Sequence, residues 1–202
     1  LGLPGNPPES STIRLEKSAM QEALRRAGVR HIRSRTVSSA KEAEAFWQEL
    51  GVKKVVVKPL ASAGTMGVHF VTTRQELSRH MDSLLASCDL FGRPIREGLI
   101  QEYIDGTEYI VNTVSCGGVH RVTDIWVYNK IAIGSEGNAY DYARLVTRLE
   151  PGQRALIEYA YQTLDALGYQ YGPSHGEYMM DENGPVLIEA GARPMGGGFS
   201  MD

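Results

Sequence analysis

Cysteine is scarce in this sequence: Cys88 and Cys116 are the only two among 202 residues. They form no CxxC pair and have no histidine at metal-ligand spacing, so the sequence indicates neither a disulfide framework nor a zinc site. We expect both to be reduced, buried thiols in a cytoplasmic protein.

Concentrated charge and long apolar runs are also missing. The 21 Lys and Arg residues nearly balance the 24 Asp and Glu residues, and no block of like charge occurs. This composition gives no support to a nucleic-acid partner or a membrane-surface role. No apolar run is long enough to span a membrane and no signal-peptide pattern is present, so we expect no membrane partner.

An initiating methionine is lacking too, and the chain stops just after a glycine-rich stretch. We therefore expect a piece of a longer protein, and we expect any homo-oligomer to form through the missing regions. A chain of 202 residues can still bury a substantial core, in one domain or in two small ones.

Apolar patterning predicts an α+β fold. Capping boxes at residues 39–42 and 73–76 begin two helices, and Pro151 begins a long helix that Gly168 ends. The consecutive valines within residues 53–59 predict a strand that is covered on both faces.

The remaining segments are less regular. Residues 10–12 offer a cap for a first helix, which ends at Gly28. Residues 108–115 and 119–128 predict a hairpin, whereas residues 130–149 show no clear pattern and are expected to be rich in loops.

A hairpin near the C-terminus carries two opposed carboxylates. Residues 177–180 and 186–189 form its strands, and a three-residue loop at 182–184 pairs Glu177 with Glu189 directly across. Cβ atoms in that relation lie roughly 5 Å apart, and like charges so placed repel each other. A shared magnesium ion removes the conflict. The alternative is a solvated hairpin whose glutamates splay apart.

Lys58 closes the valine strand and precedes a small, glycine-containing loop at residues 61–67. Successive N–H groups of such a loop cradle phosphates, and a lysine adds positive charge. No GxxxxGK[ST] pattern is present, so this is not a P-loop, and a solvated lysine at a strand end is the alternative. Because the loop has few large side chains to bury, we expect it to become ordered when nucleotide binds.

Residues 98–104 predict a strand that ends in Glu102, Tyr103 and Ile104. As a hinge between two subdomains, this backbone would offer the hydrogen-bond acceptor and donor that the edge of adenine needs. Glu108 would then accept hydrogen bonds from the ribose hydroxyls. An edge strand followed by a turn explains the same pattern.

Arg193 lies four residues after Glu189 and is followed by Pro194 and a run of glycines. A guanidinium group there could bind a carboxylate or a phosphoryl group bidentately, and the alternative is a surface arginine paired with a nearby acid. His175 lies two residues before Glu177, and we interpret it as a hydrogen-bonding neighbour rather than a metal ligand or base.

From Arg14 onward, this ordered combination resembles the ATP-grasp ligases. The resemblance implies the ATP-grasp fold, with a lid subdomain (residues 30–104) and a core subdomain (residues 105–202) that hold nucleotide between them. Residues 1–29 would form a lead-in and a connecting helix. The family's N-terminal α/β domain has no counterpart in these residues.

The resemblance also implies a set of site residues. One or two magnesium ions, or manganese, would be bound by Glu177 and Glu189, and Arg193 would act on the substrate. ATP would be bound by Lys17, Lys58, Ser62, Gly64, Gly67, Glu102, Tyr103, Ile104, Glu108 and Met179.

Within the family, residues 189–194 are most similar to the branch that includes the L-amino-acid ligases. In that branch an arginine at the position of Arg193 serves the carboxylate end of the substrate. Gly191 stands where many members carry a metal-binding asparagine, which leaves the coordination of a second ion open. Lys130 is similar to a further basic position of the family.

The function implied by the resemblance is that of an ATP-dependent carboxylate–amine ligase acting through an acyl phosphate. Its substrates would be an amino acid or another small carboxylic acid, together with an amine, and these residues alone are expected to turn over little or nothing. Two alternatives stay open: a biotin-carboxylase-type enzyme, for which no bicarbonate site is identified, and a nucleotide-binding module without chemistry. The opposed carboxylates and Arg193 favour the ligase.

Overall fold

The computed structural model describes residues 4–60, 67–89, 92–133 and 137–196. These residues form two antiparallel sheets with helices packed against them, so the α+β prediction is confirmed. None of the helices in the described ranges is long and apolar enough to cross a membrane.

The chain begins with a 3₁₀ turn (Pro8–Ser10) and helix α1 (Lys17–Arg26). The predicted helix start at residues 10–12 is wrong, because the Ser10 hydroxyl donates to the Pro7 carbonyl oxygen instead of capping the helix. The predicted end is correct. Gly28 has φ +70°, and the N–H groups of Gly28 and Val29 donate to the last carbonyls of α1, as in a Schellman motif.

A four-stranded sheet, in the order β1-β4-β2-β3, forms the first layer. Both predicted helix starts are present: Ser39 and Thr73 each accept a hydrogen bond from the backbone N–H three residues later. The two helices pack on one face of the sheet and bury an apolar cluster there. The elements are β1 (Ser34–Val37), α2 (Ala40–Leu50), β2 (Val55–Pro59), β3 (His69–Val71), α3 (Arg74–Leu85) and β4 (Gly98–Glu102).

A five-stranded sheet, in the order β7-β6-β5-β8-β9, forms the second layer. Helices α1 and α4 cover one of its faces and bury the main core, in which Leu24, Leu156 and Tyr178 are essentially inaccessible to solvent. Ala155, next to Leu156 on α4, is exposed. The elements are β5 (Thr107–Cys116), β6 (Val119–Ile133), β7 (Gly137–Leu145), α4 (Pro151–Ala166), β8 (Gly172–Asp181) and β9 (Gly184–Gly191).

Two further predictions are wrong. Residues 130–149 are not mainly loop, because β6 continues to Ile133 and β7 pairs with it as an edge strand. A register shift between Asn129 and Lys130 breaks the alternation that identifies a strand in sequence. Cys88 and Cys116 are free thiols as predicted, but both are exposed rather than buried.

The β8–β9 hairpin shows the predicted pairing of Glu177 with Glu189, but its loop length and strand register differ from those predicted. Asp181 pairs with Gly184, so the loop has two residues rather than three. The Asp181 carboxylate stabilises this tighter turn by accepting the N–H of Asn183 at 2.8 Å. A bulge then leaves Ile188 without a cross-strand partner and restores the Glu177–Glu189 pair.

The two sheets are joined by the short segment between β4 and β5, which contains Gly106. A Cβ atom on Gly106 would lie 2.3 Å from the carbonyl oxygen of Met180. The absence of a side chain therefore lets this segment pack directly on β8.

We expect Gly106→Ala to lower the free energy of unfolding by about 1–3 kcal/mol, because the methyl group overlaps rigid backbone. Gly152→Ala is the matched control. Gly152 lies in the first turn of α4 with nothing near its virtual Cβ, so this change should raise stability by about 0.5–1 kcal/mol. Chemical denaturation measures both values, and equal stability of the two variants would contradict this packing.

Candidate active site

A cleft of about 1050 Å³ lies between the two sheets. Residues from α1, β2, the β4–β5 segment and the five-stranded sheet line it. The structure brings together nine of the residues predicted to form the site: Lys17, Lys58, Tyr103, Ile104, Glu108, Glu177, Met179, Glu189 and Arg193.

Lys58 faces this cleft because side chains alternate along β2, which is covered on both faces. Val55 and Val57 belong to the apolar cluster under α2 and α3, whereas Val56 and Lys58 alternate to the other face and line the cleft. Lys58 is only 4% exposed. Its pKa is lowered to about 8, first by burial and then by the positive charge of Lys17, while Glu189 and other carboxylates oppose the shift.

This shift means that the charged form of Lys58 costs about 3 kcal/mol relative to an exposed lysine. An anionic ligand in the cleft would offset that cost. The charge of Lys58 therefore favours binding of a polyanion, although three glutamates already face it across the cleft.

Lys17 is the first residue of α1, and its Nζ atom lies 2.6 Å from Glu189 Oε2. The bulge in β9 is what turns both Ile188 and Glu189 towards the cleft, while Leu187 stays in the core. Without nucleotide, the ammonium group of Lys17 thus balances one of the two opposed carboxylates.

The residues present fit a magnesium ion that is also held by phosphate. Glu177 and Glu189 are cross-strand neighbours that face the same cleft. In the part of the chain that the structure describes, no group of three or more His, Cys, Asp or Glu side chains forms a complete metal site. Magnesium commonly uses one or two carboxylates and completes its coordination with phosphate oxygens and water.

The hinge after β4 is held by aromatic contacts. The Lys54 ammonium lies 3.7 Å from the centroid of the Tyr103 ring and 4.9 Å from that of Phe70, and the two rings meet edge to face. The N–H of Tyr103 donates to the Lys54 carbonyl oxygen. Glu102 does not line the cleft, because its carboxylate forms an ion pair with Arg33 at 2.6 Å.

Glu108 lies on β5 and is only 7% exposed. Its carboxylate forms an ion pair with Lys130, the basic residue whose position the sequence left open. Tyr128 lies nearby on β6. Burial, followed by the negative charge of Glu177 and Glu108, raises the Tyr128 pKa to about 12, so its hydroxyl keeps its proton.

Arg193 is exposed and follows β9, and its guanidinium donates to the carbonyl oxygen of Pro194 at 3.0 Å. The side chain lies across Gly191, where a Cβ atom would be 3.3 Å from Arg193 Cγ and Nε. An asparagine at position 191 would therefore compete with the arginine for space.

Most of the glycine-containing loop at residues 61–67 lies outside the described residues. Ser62 and Gly64 lie outside the described residues. Gly67 has φ +72°, and a Cβ atom there would lie 3.0 Å from Pro59 Cγ, so a larger residue would disturb the end of β2. Gly67 itself does not line the cleft.

Sequence reasoning missed some residues of this cleft. Tyr142 and Arg144, on β7, line it together with Tyr128 and Asn129 on β6. Tyr142 and Arg144 are two residues apart, a spacing that places side chains on one face of a strand. That period was the available signal, but the segment was interpreted as loop.

Comparison with known proteins shows which family this chain resembles. A family model described as an ATP-grasp domain matches residues 52–202. Dapdiamide A synthase from Enterobacter agglomerans is 35% identical over 192 residues, which cover 94% of this chain and 44% of that protein. Alanine–anticapsin ligase from Bacillus subtilis is 26% identical over 210 residues, which cover 96% of this chain and 44% of that protein.

A solved structure shows the same fold. The L-amino acid ligase from Bacillus licheniformis superimposes with a TM-score of 0.76 at 24% identity, over 97% of this chain and 44% of that one. This chain therefore spans less than half the length of these relatives.

We expect Lys58→Met to raise the free energy of unfolding at pH 7 by about 1–3 kcal/mol, because the lowered pKa of Lys58 means that its charged form is a net cost to the folded state. Native Lys58 has a lowered pKa, so the unfolded chain binds more protons between pH 8 and 10.5. The stability gained by the variant should therefore shrink as pH rises from 8 towards 10.5.

Lys53→Met, at an exposed position just before the same strand, is the control and should change stability by less than about 0.5 kcal/mol. Denaturant unfolding at several pH values measures both variants. A destabilised Lys58→Met protein would show that the lysine is needed to hold the carboxylates.

Proposed function

This chain belongs to the ATP-grasp domain family, and we propose that it is the nucleotide-binding part of an ATP-dependent carboxylate–amine ligase. The observation that carries the proposal is the cleft itself, in which a buried Lys58, Lys17 and three carboxylates face one another. A triphosphate with magnesium brings both the negative charge that the lysines need and the positive charge that the glutamates need.

Each site residue implied by the family resemblance has a role in this proposal. Lys17 and Lys58 bind phosphate oxygens, and Glu177 and Glu189 hold magnesium, which when bound neutralises phosphate charge. The backbone of residues 102–104 and Met179 bind adenine. Glu108 accepts hydrogen bonds from the ribose, and Ser62, Gly64 and Gly67 belong to the loop that covers the phosphates.

The chemical steps follow from positioning and charge. An oxygen of the substrate carboxylate attacks the γ-phosphorus of ATP, and ADP leaves, giving an acyl phosphate. The amine then attacks the acyl carbon, inorganic phosphate leaves, and one proton is released. Arg193 orients the carboxylate and stabilises the charge that develops on the adduct.

An amino acid is the acid that we favour. Two relatives are named as ligases of alanine or of L-amino acids. The planar fork of Arg193 suits a carboxylate, and its exposed position at the end of β9 leaves it accessible to a small acid. Cytoplasmic location is part of the same proposal, and the two free thiols are consistent with it.

A screen for ADP release tests the reaction. The full-length protein, with ATP and magnesium, should release ADP only when an L-amino acid and an amine are both supplied. Glu189→Gln is isosteric and should abolish the release without unfolding the protein. Release with bicarbonate as the only acid would favour the carboxylase alternative, and magnesium-dependent ATP binding with no release under any condition would favour a module without chemistry.

Arg193→Lys keeps the charge but loses the bidentate fork. We expect kcat/KM for the acid to fall by the factor that corresponds to a loss of about 2–4 kcal/mol of transition-state stabilisation. The Kd for ATP should change less than about twofold. Arg26→Lys, on the exposed face of α1 and paired with Glu22, is the matched control and should leave both quantities unchanged. If ATP affinity collapses while kcat/KM for the acid is preserved, Arg193 belongs to the nucleotide site.

A further inference from the structure

A chain of polar side chains runs across β6, β5 and β8 and ends at Glu177. Trp126 Nε1 lies 2.6 Å from Asp124 Oδ1, and Asn112 Nδ2 lies 2.5 Å from the same oxygen. Asn112 Oδ1 lies 2.9 Å from His175 Nδ1, and His175 Nε2 lies 3.4 Å from Glu177 Oε1. Four consecutive contacts thus connect an indole to one of the opposed carboxylates.

The donor and acceptor in each of these hydrogen bonds can be assigned by starting from the Trp126 indole. An indole N–H can only donate, so Asp124 Oδ1 accepts. The Asn112 amide must therefore present nitrogen to Asp124, and the same nitrogen lies 3.5 Å from Met195 Sδ. Asn112 Oδ1 then faces His175, whose Nδ1–H donates to it. The remaining ring nitrogen, Nε2, faces Glu177 Oε1, which can only accept, so the ring that makes both contacts donates from both of its nitrogens.

Burial makes this arrangement rigid. Asn112 is 8% exposed and His175 is 5% exposed, so little of either side chain is open to solvent. A buried polar group that loses its partner is costly, and a satisfied chain of this kind fixes its members in one orientation. The His175 ring therefore has a single stable placement against Glu177 Oε1.

We propose that His175 is a positioning residue that sets the orientation of the Glu177 carboxylate and thereby the affinity of the cleft for its divalent ion. This inference rests on the proposed function, in which Glu177 holds magnesium. Because Oε1 accepts from Nε2–H, one oxygen of the carboxylate is held by the ring, and Oε2 is left for the ion. Groups that orient metal ligands in this way typically change metal affinity about 10–100-fold.

The protein contains a matched control on the opposite face of the same sheet. His120 is also 5% exposed and also has two side-chain partners, Ser115 Oγ at 2.7 Å and Asp165 Oδ1 at 3.1 Å. It packs towards α4 rather than towards the cleft. Replacing His120 therefore measures the cost of disturbing a buried histidine without touching Glu177.

The test is a calorimetric titration of the full-length protein with a non-hydrolysable ATP analogue at increasing magnesium concentration. His175→Asn keeps a partner for Asn112 but removes the group that faces Glu177, and half-saturating magnesium should rise about tenfold or more. His175→Gln places an amide near the position of Nε2, so the rise should stay within about threefold. His120→Asn should leave the magnesium dependence unchanged.

Two different failures are distinguishable. If the wild-type protein binds the analogue without any dependence on magnesium, the proposed function fails and this inference fails with it. If magnesium dependence is present but His175→Asn matches His120→Asn, only the positioning role is overturned. If His175→Asn does not fold, Asn112→Ala is tested instead. This change removes the partner that fixes the His175 ring, so the magnesium concentration at half-saturation should rise several-fold. An unchanged concentration overturns the proposal.

Discussion

The ammonium group of Lys58 is buried at the end of a strand whose other face is packed on an apolar cluster, and among the described residues the carboxylates that compensate its charge lie across the cleft. Lys17, on α1, adds repulsion, while Glu108, Glu177 and Glu189 supply attraction from the five-stranded sheet. The small sheet thus contributes a cation and the large sheet contributes the anions. A ligand that carries phosphate and a divalent ion satisfies both sets, and the geometry of the cleft follows from that requirement.

Several local features place these charges. The bulge at Ile188 turns Glu189 towards Lys17, and the contact of Gly106 with Met180 fixes how the hinge meets β8. Behind Glu177, the buried chain through His175 and Asn112 reaches the segment that contains Met195, two residues after Arg193. The chain behind the part of the cleft proposed to hold magnesium therefore also contacts the segment that follows Arg193.

Much of the fold and of the site could be predicted from the sequence, because strong local signals coincide with it. Consecutive valines, capping residues and a Pro–Gly-bounded helix identify β2, α2, α3 and α4. The sequence did not predict the two-residue turn and the compensating bulge in β9, because a three-residue loop without a bulge pairs the same two glutamates. The edge strand β7 was missed because its neighbour carries a bulge, and with it Tyr142 and Arg144 were missed as cleft residues.

Proton uptake on nucleotide binding tests the role of the buried charge most directly. Calorimetry of the full-length protein with magnesium and a non-hydrolysable ATP analogue, in buffers of different ionisation enthalpy, counts the protons exchanged. Because the pKa of Lys58 lies at about 8 without ligand and phosphate raises it, binding at pH 8 should take up about half a proton. The uptake should fade below pH 7 and disappear in Lys58→Met. Binding at pH 8 with no proton uptake, or with uptake that survives in Lys58→Met, would contradict the account.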